Sequence, residues 1–228
     1  MKIYDRPGFP NAARIRIVLA EKGLDAAVEY VPVDLIAAEH KQEAFLKLNP
    51  SGVIPVLELD DGTFISEATA ISEYIDNLDG NPTLTGASPK EKAIVHMMQR
   101  RAEAFVLDPV GIFFHHGTPG LGAALQAYKS PEWNGREEWA LRNRATAMSG
   151  FAYFDEVLAR SSFLAGDRFS IADITLYAGL LFGDVAGVQP ANGLEHLAQW
   201  RGRVAELPSV KGRSGQNLLP EDLRRLGF

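Results

Sequence analysis

The chain has 228 residues, 23 basic and 29 acidic, giving a net charge of −6, and it has no cysteine. That composition excludes disulfides, thiolate metal sites and a cysteine nucleophile, so any thiol chemistry must use a ligand's thiol. No basic run stands out and no apolar run reaches the about eighteen residues that span a bilayer, which argues against nucleic acid and membrane as partners. The acid at Asp5 and the lack of a small-residue cleavage site argue against a signal peptide and predict a cytoplasmic protein.

The first eighty residues alternate strand and helix signals. Lys2 to Tyr4 predicts a short strand. Asn11 is positioned to cap a helix from Ala12 to Lys22, which Gly23 closes. Glu29 to Val33 is rich in β-formers, and Ala38 to Leu48 reads as a second helix. Val56 to Leu59 and Thr63 to Ile65 flank Asp60-Asp61-Gly62, a hairpin signal. Ser66 is positioned to cap a helix from Glu67 to about Leu78. The Gly- and Pro-rich run from Asp79 to Pro89 reads as a linker. Beyond it the pattern is helical: Pro89 to Phe114 with a kink expected at Pro109 and Gly111, then Arg136 to Arg160, Ile171 to Val185 and Leu194 to Leu207. The expected organisation is a domain at 1–79, a linker at 80–89 and an all-helical domain at 90–228.

One motif carries chemistry by its backbone: Asn49-Pro50-Ser51-Gly52-Val53-Ile54-Pro55-Val56-Leu57. Proline cannot serve a central ladder position, so Pro55 marks a bend, and a cis bond is expected there. That geometry would turn the N–H and C=O of Ile54 outward, where they could pair with an extended peptide. A plain loop-to-strand turn is the alternative. Twelve residues later Glu67 opens a helix in Ser66-Glu67-Ala68-Thr69. Free N–H groups at a helix start bind a carboxylate, and a carboxylate side chain beside them binds an ammonium. Together they describe a receptor for an α-amino acid head group. Next to a strand-like edge, this is a site for a γ-glutamyl peptide. Taken alone, a Glu at this position more commonly just supports the helix cap.

These two motifs, with Arg14-Ile15-Arg16-Ile17, Leu19-Ala20-Glu21-Lys22-Gly23, Glu39-His40-Lys41 and Phe169-Ser170-Ile171-Ala172-Asp173, resemble the glutathione transferases across essentially the whole chain. The resemblance implies an α/β thioredoxin-like N-terminal domain and an all-α C-terminal domain. It also implies glutathione as co-substrate, no metal, and a homodimer. It places His40 at the glycine carboxylate of glutathione, with Lys41 as a second choice; an exposed helix position is the alternative for His40. Ala68 stands where many relatives have Ser, so the hydroxyl contact is lost and the backbone N–H kept. Ser170 and Asp173 have the spacing of a capping box and are read as structural.

A glutathione transferase must favour the thiolate. Lowering a thiol pKa of about 8.5 by two units requires about 2.7 kcal/mol. Most family members use a Tyr, Ser or Cys near the first helix, and the stretch Pro7 to Ala13 holds none. Tyr4 is expected to pack in the sheet, whereas Asn11 could reach the sulfur. Leu107-Asp108-Pro109-Val110, Phe114-His115-His116 and Thr118-Pro119-Gly120-Leu121-Gly122 resemble the atypical yeast-type members, as do His96-Met97-Met98 and Arg101-Ala102-Glu103. In that group a Ser and a His of the helical domain hold a water on the sulfur. The resemblance puts the His at His115 and leaves Gly111 where the Ser would stand. A helix-end position beside a glycine-rich loop is the alternative for His115 and His116. The electrophile is expected near Phe105, Ile112, Phe113 and the loop after His116. The implied activity is conjugation of glutathione to a hydrophobic electrophile. The alternatives are a related isomerase, dehalogenase or ether-cleaving lyase, or a non-catalytic interaction module.

Overall fold

The structure, a computed structural model, describes residues 1–118 and 135–226. Strand β1 (Lys2–Asp5) pairs in parallel with β2 (Glu29–Pro32) across helix α1 (Pro10–Glu21). After the short α2 (Glu43–Leu46), β3 (Val56–Glu58) runs antiparallel to β1, and β4 (Phe64–Ser66) antiparallel to β3. The sheet order is β2-β1-β3-β4, with α3 (Ala68–Asn77) following, and this is the thioredoxin-like arrangement expected. Among the described residues the remainder is built of helices: α4 (Pro89–Ala102), α5 (Asp108–Gly117), α6 (Glu137–Leu158), α7 (Ile171–Ala186), α8 (Glu195–Ala205), α9 (Pro208–Lys211) and α10 (Pro220–Leu226). Among the described residues no helix is long and apolar enough to cross a membrane.

Every residue of α1 from Ala12 to Leu19 is buried, because the helix packs against both α3 and α7. Its core residues Ile15 and Leu19 join one apolar cluster with Ile71 of α3, Ile174 of α7 and the fully buried Phe151, Phe154 and Trp200. Burying that many large side chains, at about 1.5–3 kcal/mol each, is what holds the sheet and the helices together.

Three helix starts differ from expectation. Helix α1 begins at Pro10, with Phe9 at the N-cap, so Asn11 lies inside the first turn and caps nothing. Proline is tolerated there because its missing N–H would have had no helical partner. The helix expected over Ala38 to Leu48 breaks into a 3-10 turn (Glu39–Lys41) and α2, because Ala38 takes a left-handed φ of 58° and Gln42 is extended. Helix α3 begins at Ala68, since Ser66 still belongs to β4 and Glu67 makes the turn.

The segment between α3 and α4 is tied down at its centre. The buried Asp76 carboxylate accepts from the backbone N–H groups of Thr83, Leu84 and Thr85 at 2.8–3.0 Å. Burial pushes the Asp76 carboxyl up, but these donors and the Thr85 hydroxyl more than offset it and hold it below its usual range. Ile171 N–H then donates to Leu84 O, which fixes the start of α7 to the same segment.

The kink expected at Pro109 and Gly111 lies one turn earlier. Pro109 has no N–H to return to Phe105 O. Residues Glu103–Leu107 widen into a π turn instead, with Asp108 N–H reaching Glu103 O, while Gly111 sits inside regular α5. The Phe105 carbonyl faces Gly150 of α6, where a Cβ would lie only 2.3 Å from that oxygen.

After α9 the chain returns to the sheet domain, a course that no local pattern signals. Arg6 grips the buried Asp222 with two bonds of 2.7 Å, and Arg225 pairs with Asp34. Gly8 N–H donates to Gly215 O at 2.9 Å, and a Cβ on Gly8 would lie 2.4 Å from Leu218 N. The returning segment therefore lies directly on the loop between β1 and α1.

Candidate functional site

A cleft of about 1250 Å³ runs between the sheet domain and the helices, and Asn11, His40, Ile54, Pro55, Glu67, Ala68, Gly111 and His115 all line it. On the sheet side are Ile54 and Pro55, joined by a cis bond. They lie just before the β1–β3 ladder, whose last pair is Tyr4 with Val56. Glu67 has φ 69° and ψ 119° at the N-cap of α3, and its side chain makes no capping hydrogen bond. Glu67 therefore caps α3 through its backbone carbonyl, which accepts from Ile71 N–H, and leaves its carboxylate unused by the cap. A non-glycine residue held at such φ costs about 1–3 kcal/mol, and this strain clusters at ligand sites. The first N–H groups of α3, from Ala68 onward, have no partner within the helix, and Ala68 and Thr69 line the cleft.

His40 and Lys41 lie at the same side of the cleft. Burial, and then the Lys41 charge, push the His40 ring down to about 4, so it is neutral at pH 7. At neutral pH the His40 ring can therefore meet a carboxylate as a neutral hydrogen-bond donor and not as a cation. Lys41 Nζ donates to Gly52 O at 2.6 Å. A sign follows for stability. A histidine whose folded pKa lies below its unfolded value of 6.5 stabilises the fold above pH 6.5, and that contribution is lost as pH falls toward about 4. Urea midpoints at pH 7.5 and 5 should fall more steeply for the parent than for His40→Gln. Equal slopes would remove His40 as the source.

The floor is a hydrogen-bonded network across α1, α3, α4 and the π turn. Arg14, buried in α1, reaches Asn11 Oδ1 at 3.1 Å, Glu103 Oε1 at 3.0 Å and Thr69 Oγ1 at 3.3 Å. Gln99 Nε2 donates to Thr69 Oγ1 at 2.7 Å. Burial lowers the Arg14 pKa, and Glu103 opposes that shift. Because Arg14 engages the Asn11 oxygen, the amide NH₂ of Asn11 is the group left to donate into the cleft, as a thiolate would require.

On the helical side, Gly111 and His115 stand one turn apart on the same face of α5. The His115 ring packs edge-on against Phe114, with centroids 5.2 Å apart. A Cβ on Gly111 would meet only Phe182 Cε1, at an ordinary 3.4 Å, so the position has room for a side chain. Ile112 lines the cleft as expected, but Phe105 and Phe113 do not. Phe105 packs edge-on to Tyr153, and Phe113 is buried in the core. Helical spacing explains this: the cleft stripe is Leu107, Gly111, His115 with Asp108, Ile112, His116, and Phe113 lies opposite. Residues 119–122 of the glycine-rich loop lie outside the described residues.

The apolar wall that the sequence reading missed is α7, through Ala178, Leu181, Phe182 and Val185. Their spacing is visible in the sequence. However, α7 is buried along most of its length, so periodicity could not separate a cleft face from a core face. Tyr4 is no activator: its hydroxyl donates to Glu58 at 2.6 Å, and this bond, with burial, pushes it up to about 12.

Comparison with known proteins places the fold in a family. Residues 10–78 match the family model "Glutathione S-transferase, N-terminal domain", and residues 119–208 match "Glutathione S-transferase, C-terminal domain". The chain is 51% identical over 211 residues to Glutathione S-transferase 2 of Saccharomyces cerevisiae, covering 92% of this chain and 88% of that one. It is 32% identical over 193 residues to a maleylacetoacetate isomerase of Pseudomonas aeruginosa, covering 80% and 83%. The crystal structure of Gtt2 from Saccharomyces cerevisiae superposes with a TM-score of 0.87 at 50% identity, over 93% of this chain and 99% of that one. The chain therefore belongs to the glutathione S-transferase family and is similar along nearly its whole length to a yeast-type member.

Proposed function

We propose that the protein conjugates the thiolate of glutathione to a hydrophobic electrophile. The observation that carries this reading is the shared cleft: an uncapped Glu67 beside a helix start and Ile54–Pro55 on one side, and His115 on the other. The γ-glutamyl head group binds Glu67 and the Ala68 N–H. Its peptide runs along Ile54, and its glycine carboxylate lies toward His40 and Lys41. The sulfur lies between Asn11 and a water held by His115. The thiol proton leaves to solvent. The sulfur forms a bond to the electrophilic carbon, and the leaving group departs with its electron pair. Electrophiles rest on Ile112 and the α7 wall. The same reading divides the chain at 80–89 and carries the family's homodimer, a cytoplasmic location and a role in detoxification. Sedimentation equilibrium tests the dimer.

The test of the activity is conjugation of 1-chloro-2,4-dinitrobenzene together with ultraviolet titration of bound glutathione thiolate. His115→Ala should raise the bound thiol pKa, because the water loses a fixed partner. Gly111→Ser should lower it, since a hydroxyl fits the room beside Phe182. An unmoved titration in His115→Ala would hand the activating role to Asn11 or the start of α1. The likeness to an isomerase favours one second reading, in which the same thiolate adds to a double bond and is expelled after rotation. Isomerisation of a maleyl ketone with no net loss of glutathione would identify it.

A further inference from the structure

Among the described residues four arginines are buried, Arg6, Arg14, Arg16 and Arg213, each 4–6% exposed. Three of them have carboxylates. Arg6 holds Asp222 and Glu221, both at 2.7 Å; Arg14 holds Glu103 at 3.0 Å; Arg16 holds Asp5 at 2.8 Å. Arg213 has no carboxylate partner among the described residues. Its Nη1 donates to Val210 O at 2.8 Å, and among the described residues its buried Nε has no hydrogen-bond partner and no hydrogen bond engages Nη2. Burying a cation without a counter-ion is strongly unfavourable, and a helix-end contact to one carbonyl needs only one donor. Burial lowers the Arg213 pKa; Tyr177 opposes this and Arg16 adds to it.

Position says what the missing counter-ion is. Arg213 lines the cleft. It follows α9 and neighbours Tyr177 of α7, the helix whose Ala178, Leu181 and Phe182 form the apolar wall. The γ-glutamyl receptor at Ile54 and Glu67 belongs to the sheet domain instead. A guanidinium fork matches a carboxylate or sulfonate with two parallel bonds. We propose that Arg213 is an anion subsite for the second substrate, so that the protein takes apolar, aromatic electrophiles carrying a carboxylate or sulfonate. This rests on the glutathione-conjugating reading above. The chemistry at carbon is unchanged, and the anionic group stays intact and serves only to bind.

The test compares 4-chloro-3,5-dinitrobenzoate with its methyl ester, in the parent, Arg213→Met and Arg213→Lys. In Arg213→Met, kcat/KM for the carboxylate should fall about tenfold or more, mainly through KM, as for loss of a charge-assisted bond. The ester and the KM for glutathione should not move, and Arg213→Lys should retain part of the preference. Calorimetric binding of the unreactive 4-amino-3,5-dinitrobenzoate should weaken in parallel. That arm reports the subsite even if the parent conjugates neither chloride, an outcome that would overturn the conjugation reading alone. Equal losses on acid and ester, a rise in glutathione KM without discrimination between electrophiles, or unchanged binding of the amino acid analogue would each overturn the subsite. If Arg213→Met fails to fold, Arg213→Gln carries the same comparison.

Discussion

Replacing Asp173 by alanine is expected to cost the fold about 3–5 kcal/mol, since it strips several buried donors of their only acceptor at once. The Asp173 carboxylate is fully buried and accepts from Leu164 N–H at 2.9 Å, Ser170 N–H at 3.1 Å, Ser170 Oγ at 2.8 Å and Trp200 Nε1 at 3.0 Å. It closes the capping box of α7, anchors the turn before it, and orients a tryptophan at the centre of the helical core. A serine hydroxyl can rotate to another acceptor, but two backbone amides and an indole cannot. Asp173→Asn should fall between alanine and parent, because it keeps one oxygen and turns an NH₂ toward the remaining donors. Guanidinium unfolding of the three proteins reads the order directly. An alanine variant within about 1 kcal/mol of parent would mean that water replaces the carboxylate. The pH dependence gives a second check. Burial pushes the Asp173 carboxyl up to about 6 from 3.8, so its contribution is fully present below 3.8 and is lost as pH rises through about 6. Asp173→Asn should remove that slope, which is opposite in sign to the His40 slope.

Glu67→Ala should weaken glutathione binding by about 1.5–3 kcal/mol, roughly 10- to 150-fold, the value of a hydrogen bond to a charged group. The fold should be unaffected. Glu67 is exposed, makes no capping bond, and passes its positive φ to an alanine that bears similar strain. Glu67→Gln should lose most of the same affinity, since it keeps an acceptor and drops the charge that meets the ligand's ammonium. Calorimetric titration with glutathione, beside thermal midpoints, separates binding from stability. Equal affinities in parent and alanine variant would remove the amino-acid receptor.

Much of the fold was legible because its signals are local. The hairpin at Asp60-Asp61-Gly62, the capping pair Ser170 and Asp173, and the change from mixed to helical pattern near residue 89 each depend on neighbours a few residues apart. The bend at Pro55 and the helix start near Glu67 were legible for the same reason, since a strand start and a helix start are both local events. Three features were decided only by tertiary structure. The face of α5 lining the cleft depends on which side α6 and α7 cover, so Ile112 lines it and Phe105 and Phe113 do not. The charge state of His40 depends on burial, which moves a ring from 6.5 to about 4 without changing any neighbour in sequence except through Lys41. The contribution of Arg213 to the cleft depends on the chain returning across the sheet domain, held by Arg6 to Asp222 over more than two hundred intervening positions. Sequence patterns report what a residue can do with its near neighbours. Burial and long-range pairing are set by the packed whole, because desolvation depends on everything that excludes water from a group.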